Sequence, residues 1–245
     1  GQLRPYQQAG YNWFNFLQQY KFGGCLADDM GLGKTIQTLA LLQRQKETLT
    51  TKNAVKTSLL ILPTSLIYNW QNEANKFAPD LQIYLHTGNN RIKNPELLTS
   101  YDLVITTYGI TRIDEEFLNQ FYFNYIILDE SQNIKNPTSK SFKAIKSLKS
   151  QHKLALSGTP VENSVSDLWT QMHFTNPGLL GSYTYFQKEF VQPIEKKKDE
   201  DKAKRLQTIV KPFILRRTKD QVATELPPKT EQVLYCEMSE KQHEL

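Results

Sequence analysis

The sequence predicts an α/β fold, a parallel sheet with helices on both faces, and three observations lead there. Short apolar runs recur at Cys25-Leu26-Ala27, Leu59-Leu60-Ile61-Leu62, Leu103-Val104-Ile105, Tyr125-Ile126-Ile127-Leu128 and Leu154-Ala155-Leu156. Most are followed by turn residues and then by apolar positions at helical spacing, the texture of parallel strands buried on both sides. Polar motifs stand directly after these runs, where open parallel sheets bind ligands at the C-terminal ends of their strands.

The elements follow in order. Leu3-Arg4-Pro5-Tyr6-Gln7 leads into Gly10, Trp13, Phe14 and Leu17, a spacing that predicts a helix with one buried face. The alternation of runs and helices then occupies the chain as far as about residue 175. Near Asn176 the texture changes: Pro177, Gly178, Gly181 and several aromatics lead into Glu195-Lys196-Lys197-Lys198-Asp199-Glu200-Asp201. A boundary of the core is placed there, and the charge cluster reads as a solvated helix face or mobile loop in preference to a binding site. No internal repeat is present.

Composition narrows the class. The 245 residues, 39% of them hydrophobic, suffice for one sizeable core and a smaller subdomain. Cys25 and Cys236 form neither a disulfide framework nor a metal cluster, so they read as buried thiols of a protein in a reducing compartment. No apolar run reaches the ~18 residues of a membrane span, and Gly1 opens no leader pattern, so a soluble intracellular protein is expected. Of the net charge of +5, residues 1–130 contribute almost nothing, with 11 basic and 12 acidic side chains. The remainder has 19 basic against 13 acidic, an asymmetry that suits a polyanionic partner on the C-terminal portion.

Two motifs carry chemistry. After the first run comes Asp28-Asp29-Met30-Gly31-Leu32-Gly33-Lys34-Thr35 and then the helical run Ile36, Leu39, Ala40, Leu42. Glycines let backbone N–H groups converge on phosphate oxygens, and the following helix directs its positive end there. Lys34 reaches the β and γ phosphates, and Thr35 holds magnesium. The strict phosphate-loop pattern wants glycine at Asp28, so the match is partial. The run Tyr125 to Leu128 ends in Asp129-Glu130-Ser131-Gln132. Strand alternation is expected to turn the two carboxylates apart, Asp129 towards magnesium and Glu130 towards an attacking water as general base.

In this order the motifs resemble helicase superfamily two, and within it the SWI/SNF-type DNA translocases of chromatin remodellers and their bacterial relatives. The likeness covers nearly the whole chain. It includes the opening Leu3-Arg4-Pro5-Tyr6-Gln7, the glycine loop, Leu62-Pro63-Thr64-Ser65-Leu66 with Asn69-Trp70 and Glu73, Ile105-Thr106-Thr107-Tyr108, and Asp129-Glu130 with Ile134-Lys135-Asn136. It continues through Leu156-Ser157-Gly158-Thr159-Pro160 with Asn163 and Leu168-Trp169, then Pro212-Phe213-Ile214-Leu215-Arg216-Arg217-Thr218-Lys219 and Leu226-Pro227-Pro228-Lys229.

The resemblance implies a RecA-like P-loop NTPase domain over residues 1–175, a small, mostly helical extension over 176–230, and over 231–245 the start of a linker to a second RecA-like lobe. It implies ATP and Mg2+ as cofactors, with Gln7 reading the adenine edge and Asp29, Met30, Gly31, Leu32, Gly33, Lys34 and Thr35 around the nucleotide. Lys34, Asp129 and Glu130 would be catalytic, with Thr35 and Asp129 on the metal. Gln132, Ser157, Gly158 and Thr159 would couple the nucleotide to a double-stranded DNA track touched by Pro63, Ser65, Asn69, Trp70, Thr107, Tyr108 and Asn163. Small hydroxyls and amides at strand ends also serve as caps and turns, and for Ser65, Asn69, Thr107 and Tyr108 that alternative stays open.

Where the family has a histidine box, this chain has Ser131-Gln132, which leaves the coupling role in question. Arg216 and Arg217 would brace the junction between lobes. The second lobe would bring arginines to the γ-phosphate, worth about 10³- to 10⁵-fold in rate, or roughly 4–7 kcal/mol, so the chain alone is expected to be nearly inactive. Its limits are those expected of a fragment of a longer protein. Proteins bound to DNA are further expected partners, a membrane is not, and the location would be the cytoplasmic nucleoid in a prokaryote or the nucleus in a eukaryote. Alternative readings are an RNA or single-strand helicase lobe, or a nonenzymatic ATP-gated clamp.

A lysine series, Lys135, Lys140, Lys143, Lys146, Lys149 and Lys153, has no acid between Ser131 and Val161. Its middle four are spaced to share one side of a helix, either gripping phosphates or simply solvated.

Overall fold

The computed structural model describes residues 2–49, 55–158 and 165–225. Thr159, Pro160, Asn163, the run Leu226 to Lys229, Cys236 and the expected linker 231–245 lie outside the described residues.

Helix α1 (Pro5–Gln19) begins with proline at its first position, where the missing N–H costs nothing. Tyr6, Gly10, Phe14 and Leu17 form its buried stripe. Strand β1 (Gly24–Leu26) runs through the glycine loop into α2 (Lys34–Thr48), which packs against α1. There follow β2 (Ser58–Leu62), α3 (Ile67–Phe77), β3 (Ile83–Leu85), β4 (Leu103–Thr107), α4 (Tyr108–Ile113), α5 (Glu115–Leu118) and β5 (Tyr122–Leu128). Then come α6 (Lys140–Ser147), β6 (Lys149–Leu156), α7 (Val165–Thr175), α8 (Tyr183–Phe186) with its π-helical continuation Gln187–Lys196, α9 (Glu200–Val210) and β7 (Ile214–Leu215).

The strands form one seven-stranded sheet in the order β3-β4-β2-β5-β6-β1-β7, and all its pairings are parallel. Every residue of β2 and β4 is buried, which requires cover on both faces. Among the described residues, no helix is long and apolar enough to cross a membrane. Cys25 is fully buried in β1 and its thiol donates to Gln171 Oε1 at 3.1 Å; burial pushes that thiol up to about 12.

Two expectations change. The C-terminal extension is helical through α8, its π-helical continuation and α9, but its chain returns to the main sheet as β7 beside β1. The change of texture near Asn176 is therefore not a break in the sheet. The lysine series does not share one helix face: Lys140, Lys143 and Lys146 are exposed on α6, whereas Leu148 turns to an extended conformation and delivers Lys149 and Lys153 into β6. Lys153 lies over the Phe174 ring, 5.2 Å from its centroid. The charge cluster 195–201 is largely exposed, and within it Asp199 caps α9 by accepting from the backbone N–H of Lys202 at 3.0 Å.

Candidate nucleotide site

The sheet brings the two chemical motifs together. β6 lies between β1 and β5, so the glycine loop, the Ser157-Gly158 tip and the carboxylates leave three neighbouring strands on one edge. The ladder extends beyond the strands: Ser157 N–H donates to the Leu26 carbonyl at 3.0 Å, and Asp129 N–H to that of Ile61 at 2.9 Å. A Cβ on Gly158 would stand 3.7 Å from Lys34 Nζ and 3.8 Å from Glu130 Oε1. Ammonium and carboxylate, almost a hundred residues apart in sequence, thus face one point.

Within the loop Gly31 and Gly33 take φ of 87° and 78°, a left-handed backbone that glycine adopts without penalty. Gly33 is the N-cap of α2, which puts Lys34 and Thr35 in the first helical turn, at the positive end of the dipole. Lys34 Nζ donates to the Asp28 carbonyl at 2.8 Å. Burial lowers its pKa, while the nearby carboxylates of Asp129, Asp28 and Glu130 act the other way. A triphosphate would add to that stabilisation of the charged form.

Asp28, the departure from the strict pattern, has a structural explanation. Its carboxylate is fully buried, and its Oδ1 accepts from the backbone N–H of Arg217 at 3.0 Å and from Arg217 Nε at 2.9 Å. Arg217 Nη2 completes the fork to Asp28 Oδ2 and donates to Gln37 Oε1 at 2.9 Å, and Nη1 donates to the Tyr6 carbonyl. Within this lobe the Arg217 guanidinium ties the C-terminal extension to the glycine loop, α1 and α2. Gln7, expected to read the adenine edge, lies against the glycine loop. It is buried, its Oε1 accepts from the backbone N–H of Arg4 at 3.0 Å, and its Nε2 donates to the Leu32 carbonyl at 3.3 Å.

The carboxylates are set by their supports. Trp70 is 1% exposed and its Nε1 donates to Asp129 Oδ2 at 2.7 Å. Asp129 Oδ1 accepts the backbone N–H of Glu130 at 2.9 Å, and Tyr108 Oη donates to the Asp129 carbonyl at 2.8 Å. Burial raises the Asp129 carboxyl pKa, against the lowering effect of these hydrogen bonds. Glu130 is not the next residue of a strand. Its φ of 49° and ψ of 54° are left-handed, so a backbone reversal, and not strand alternation, turns its carboxylate away from that of Asp129. Such a conformation costs roughly 1 kcal/mol or more in a residue other than glycine.

Gln132 fills the place of the family's histidine with an amide bridge. Its Nε2 donates to Glu130 Oε2 at 2.5 Å, and its Oε1 accepts from Ser157 Oγ at 3.3 Å. The general-base candidate is thereby linked to the tip of β6.

The residues expected along a DNA track divide. Ser65 and Asn69 are exposed and Pro63 is half-buried, on the chain leaving β2. Trp70 and Tyr108 are buried, the indole on the Asp129 carboxylate and the hydroxyl on the Asp129 backbone carbonyl, so their side chains face inward rather than towards an outer track. Thr107, 8% exposed, caps α4 by accepting from Ile110 N–H at 3.2 Å. The Trp70–Asp129 and Arg217–Asp28 contacts are invisible in the sequence, because neither has a characteristic spacing.

Magnesium prefers hard oxygen ligands and is held by one or two carboxylates together with phosphates. The donors fit: Asp129 is a buried carboxylate whose raised pKa a cation would lower, and Thr35 in the first turn of α2 carries a hydroxyl. Removing the indole donor should loosen this site. Trp70→Phe keeps the apolar bulk, and a hydrogen bond to a charged group is worth about 1.5–3 kcal/mol. We therefore expect the Mg2+ concentration giving half-maximal ATP-dependent signal to rise roughly tenfold, which a magnesium titration of nucleotide binding would measure.

Comparison with known proteins shows the family. The SNF2-related domain family matches residues 6–245. The chain belongs to that family. Its relatives include YwqA of Bacillus subtilis, 47% identical over all of this chain and 27% of that protein. Another is the TATA-binding protein-associated factor mot1 of Schizosaccharomyces pombe, 41% identical over 99% of this chain and 14% of that protein. Among solved structures, the Sulfolobus solfataricus SWI2/SNF2 ATPase core in complex with dsDNA is 46% identical with a TM-score of 0.85. The match covers 99% of this chain and 50% of that one. This SNF2-related domain thus spans about half of that ATPase core and a smaller share of the longer relatives.

Proposed function

We propose that this SNF2-related domain is the ATP-binding lobe of an ATP-dependent translocase on double-stranded DNA, which hydrolyses ATP once paired with a second RecA-like lobe. The observation that carries the reading is the meeting of Lys34 and Glu130 beside Gly158, in a chain whose solved relative is described in complex with dsDNA.

The chemistry follows from the side chains. The loop amides and the α2 N-terminus hold the phosphates, and Lys34 leaves its two carbonyl partners to neutralise the β and γ oxygens. Thr35 and Asp129 would hold Mg2+, which, when bound, draws charge from the phosphate oxygens. Glu130, aimed by its left-handed backbone and by Gln132, accepts a proton from the attacking water. The Gln132–Ser157 link offers a route from the nucleotide to the residues after β6. Ser65 and Asn69, exposed beyond β2, suit contacts to sugar and phosphate that ignore base sequence. Displacement of proteins bound to DNA, in a nucleoid or a nucleus, is the corresponding work of the whole molecule.

The test uses the full-length protein. Its ATP hydrolysis is expected to rise at least tenfold with duplex DNA and much less with RNA of equal phosphate concentration. Indifference to both would end the translocase reading, and preference for RNA would transfer the lobe to the helicase alternative.

A further inference from the structure

We propose that Lys219 is a second phosphate-binding lysine of the nucleotide loop, supplied by the C-terminal extension. The proposal rests on the reading of that loop as an ATP site.

The backbone around Lys219 is fastened to the loop at successive points. Cys25 and Leu26 pair with Ile214 and Leu215. Beyond the strands, Ala27 N–H donates to the Leu215 carbonyl at 2.8 Å and Asp29 N–H to the Arg217 carbonyl at 3.0 Å. The contact then changes from backbone to side chain, as Lys219 N–H donates to Asp29 Oδ2 at 3.0 Å. The turn that follows is closed on itself. Gln221 Oε1 accepts from Thr218 N–H at 2.9 Å, and Val222 N–H donates to the Lys219 carbonyl at 3.2 Å. Val222 also packs with Tyr6 and Leu32, so the turn is anchored on both α1 and the loop.

From this fixed base the side chain extends over the loop. Lys219 Cε and Nζ stand 3.8 and 3.9 Å from the place a Cβ on Gly31 would occupy. Gly31 takes φ of 87°, the conformation in which successive N–H groups can form a concave anion cradle. Lys219 is exposed, and among the described residues its ammonium has no carboxylate partner. The loop is therefore flanked by two ammonium groups, Lys34 from the helix that follows it and Lys219 from the extension. A polyphosphate between them would satisfy both, and an added point charge at this distance strengthens binding in a salt-dependent way.

Three binding measurements on the full-length protein test this, with ADP, a non-hydrolysable ATP analogue and adenosine as probes. Lys219→Ala is expected to weaken both nucleotides about tenfold at low salt, with a smaller loss at high salt and no effect on adenosine; Lys219→Arg should recover most of the affinity. The thermal unfolding midpoint without nucleotide should not move, because Lys219 holds Asp29 through its backbone. Unchanged nucleotide affinity in Lys219→Ala would overturn the proposal, provided Lys34→Ala abolishes binding in parallel. An equal loss in both Lys219 variants with a lowered unfolding midpoint would also overturn it, since that pattern belongs to a structural residue. If Lys34→Ala binds normally as well, the ATP-site reading itself fails.

Discussion

Glu130→Gln in the full-length protein is expected to reduce DNA-stimulated ATP turnover about 10²- to 10⁴-fold, the range lost with a general base, while ATP still binds. The side chain keeps its size and can still accept from Gln132, so what disappears is the capacity to take a proton. The binding and chemical steps are expected to separate, because the proposed reading gives the phosphates to the loop and Lys34, whereas Glu130 stands after β5. Steady-state turnover together with equilibrium binding of a nucleotide analogue measures both quantities. Turnover equal to the parent protein would remove Glu130 from the mechanism.

Arg217→Ala should produce the largest loss of stability, about 3–5 kcal/mol, as expected when one partner of a buried ion pair is removed and the other charge remains. The stranded group would be Asp28, whose side chain is wholly inaccessible, whereas Arg217 is 13% exposed. Nucleotide binding should weaken at the same time, since the guanidinium also joins Tyr6 and Gln37. Combining Arg217→Ala with Asp28→Gly removes the orphaned charge and restores the strict phosphate-loop glycine, and most of the lost stability should return. Arg217→Lys should rescue poorly, because one ammonium cannot reproduce the fork. Denaturant unfolding of the parent, Arg217→Ala, Asp28→Gly and the double variant measures the coupling; additive losses would show that the pair does not act as a unit.

The parts of the fold legible in the sequence were those with a local physical signature. Leu59 to Leu62 and Tyr125 to Leu128 announce parallel strands because burial on both faces demands apolar side chains on both. The glycine loop announces itself because its conformation restricts residue types. β3 escaped because Ile83–Leu85 is half-buried at a sheet edge and mixes with polar neighbours. β7 escaped because two residues have no period, and its strand character comes from β1, far away along the chain. In the site, Lys34, Asp129 and Glu130 could be named from motif order, but their supports could not. Trp70 looked like a track residue because a tryptophan beside an asparagine on a helix gives no indication of which way its indole points. Only the packed structure turns it inward to Asp129.

The position of β6 between β1 and β5 makes that strand a gauge. Two steps of inter-strand hydrogen bonding, each about 4.8 Å, hold the roots of the loop and of the carboxylate turn roughly 9.5 Å apart. The width of the reaction chamber is thus defined by peptide geometry and is insensitive to which apolar side chains line β6. Exchanging Leu154 or Leu156 for another aliphatic residue would alter how firmly the lobe holds together without resizing the chamber, whereas a side chain at Gly158 would narrow it at once.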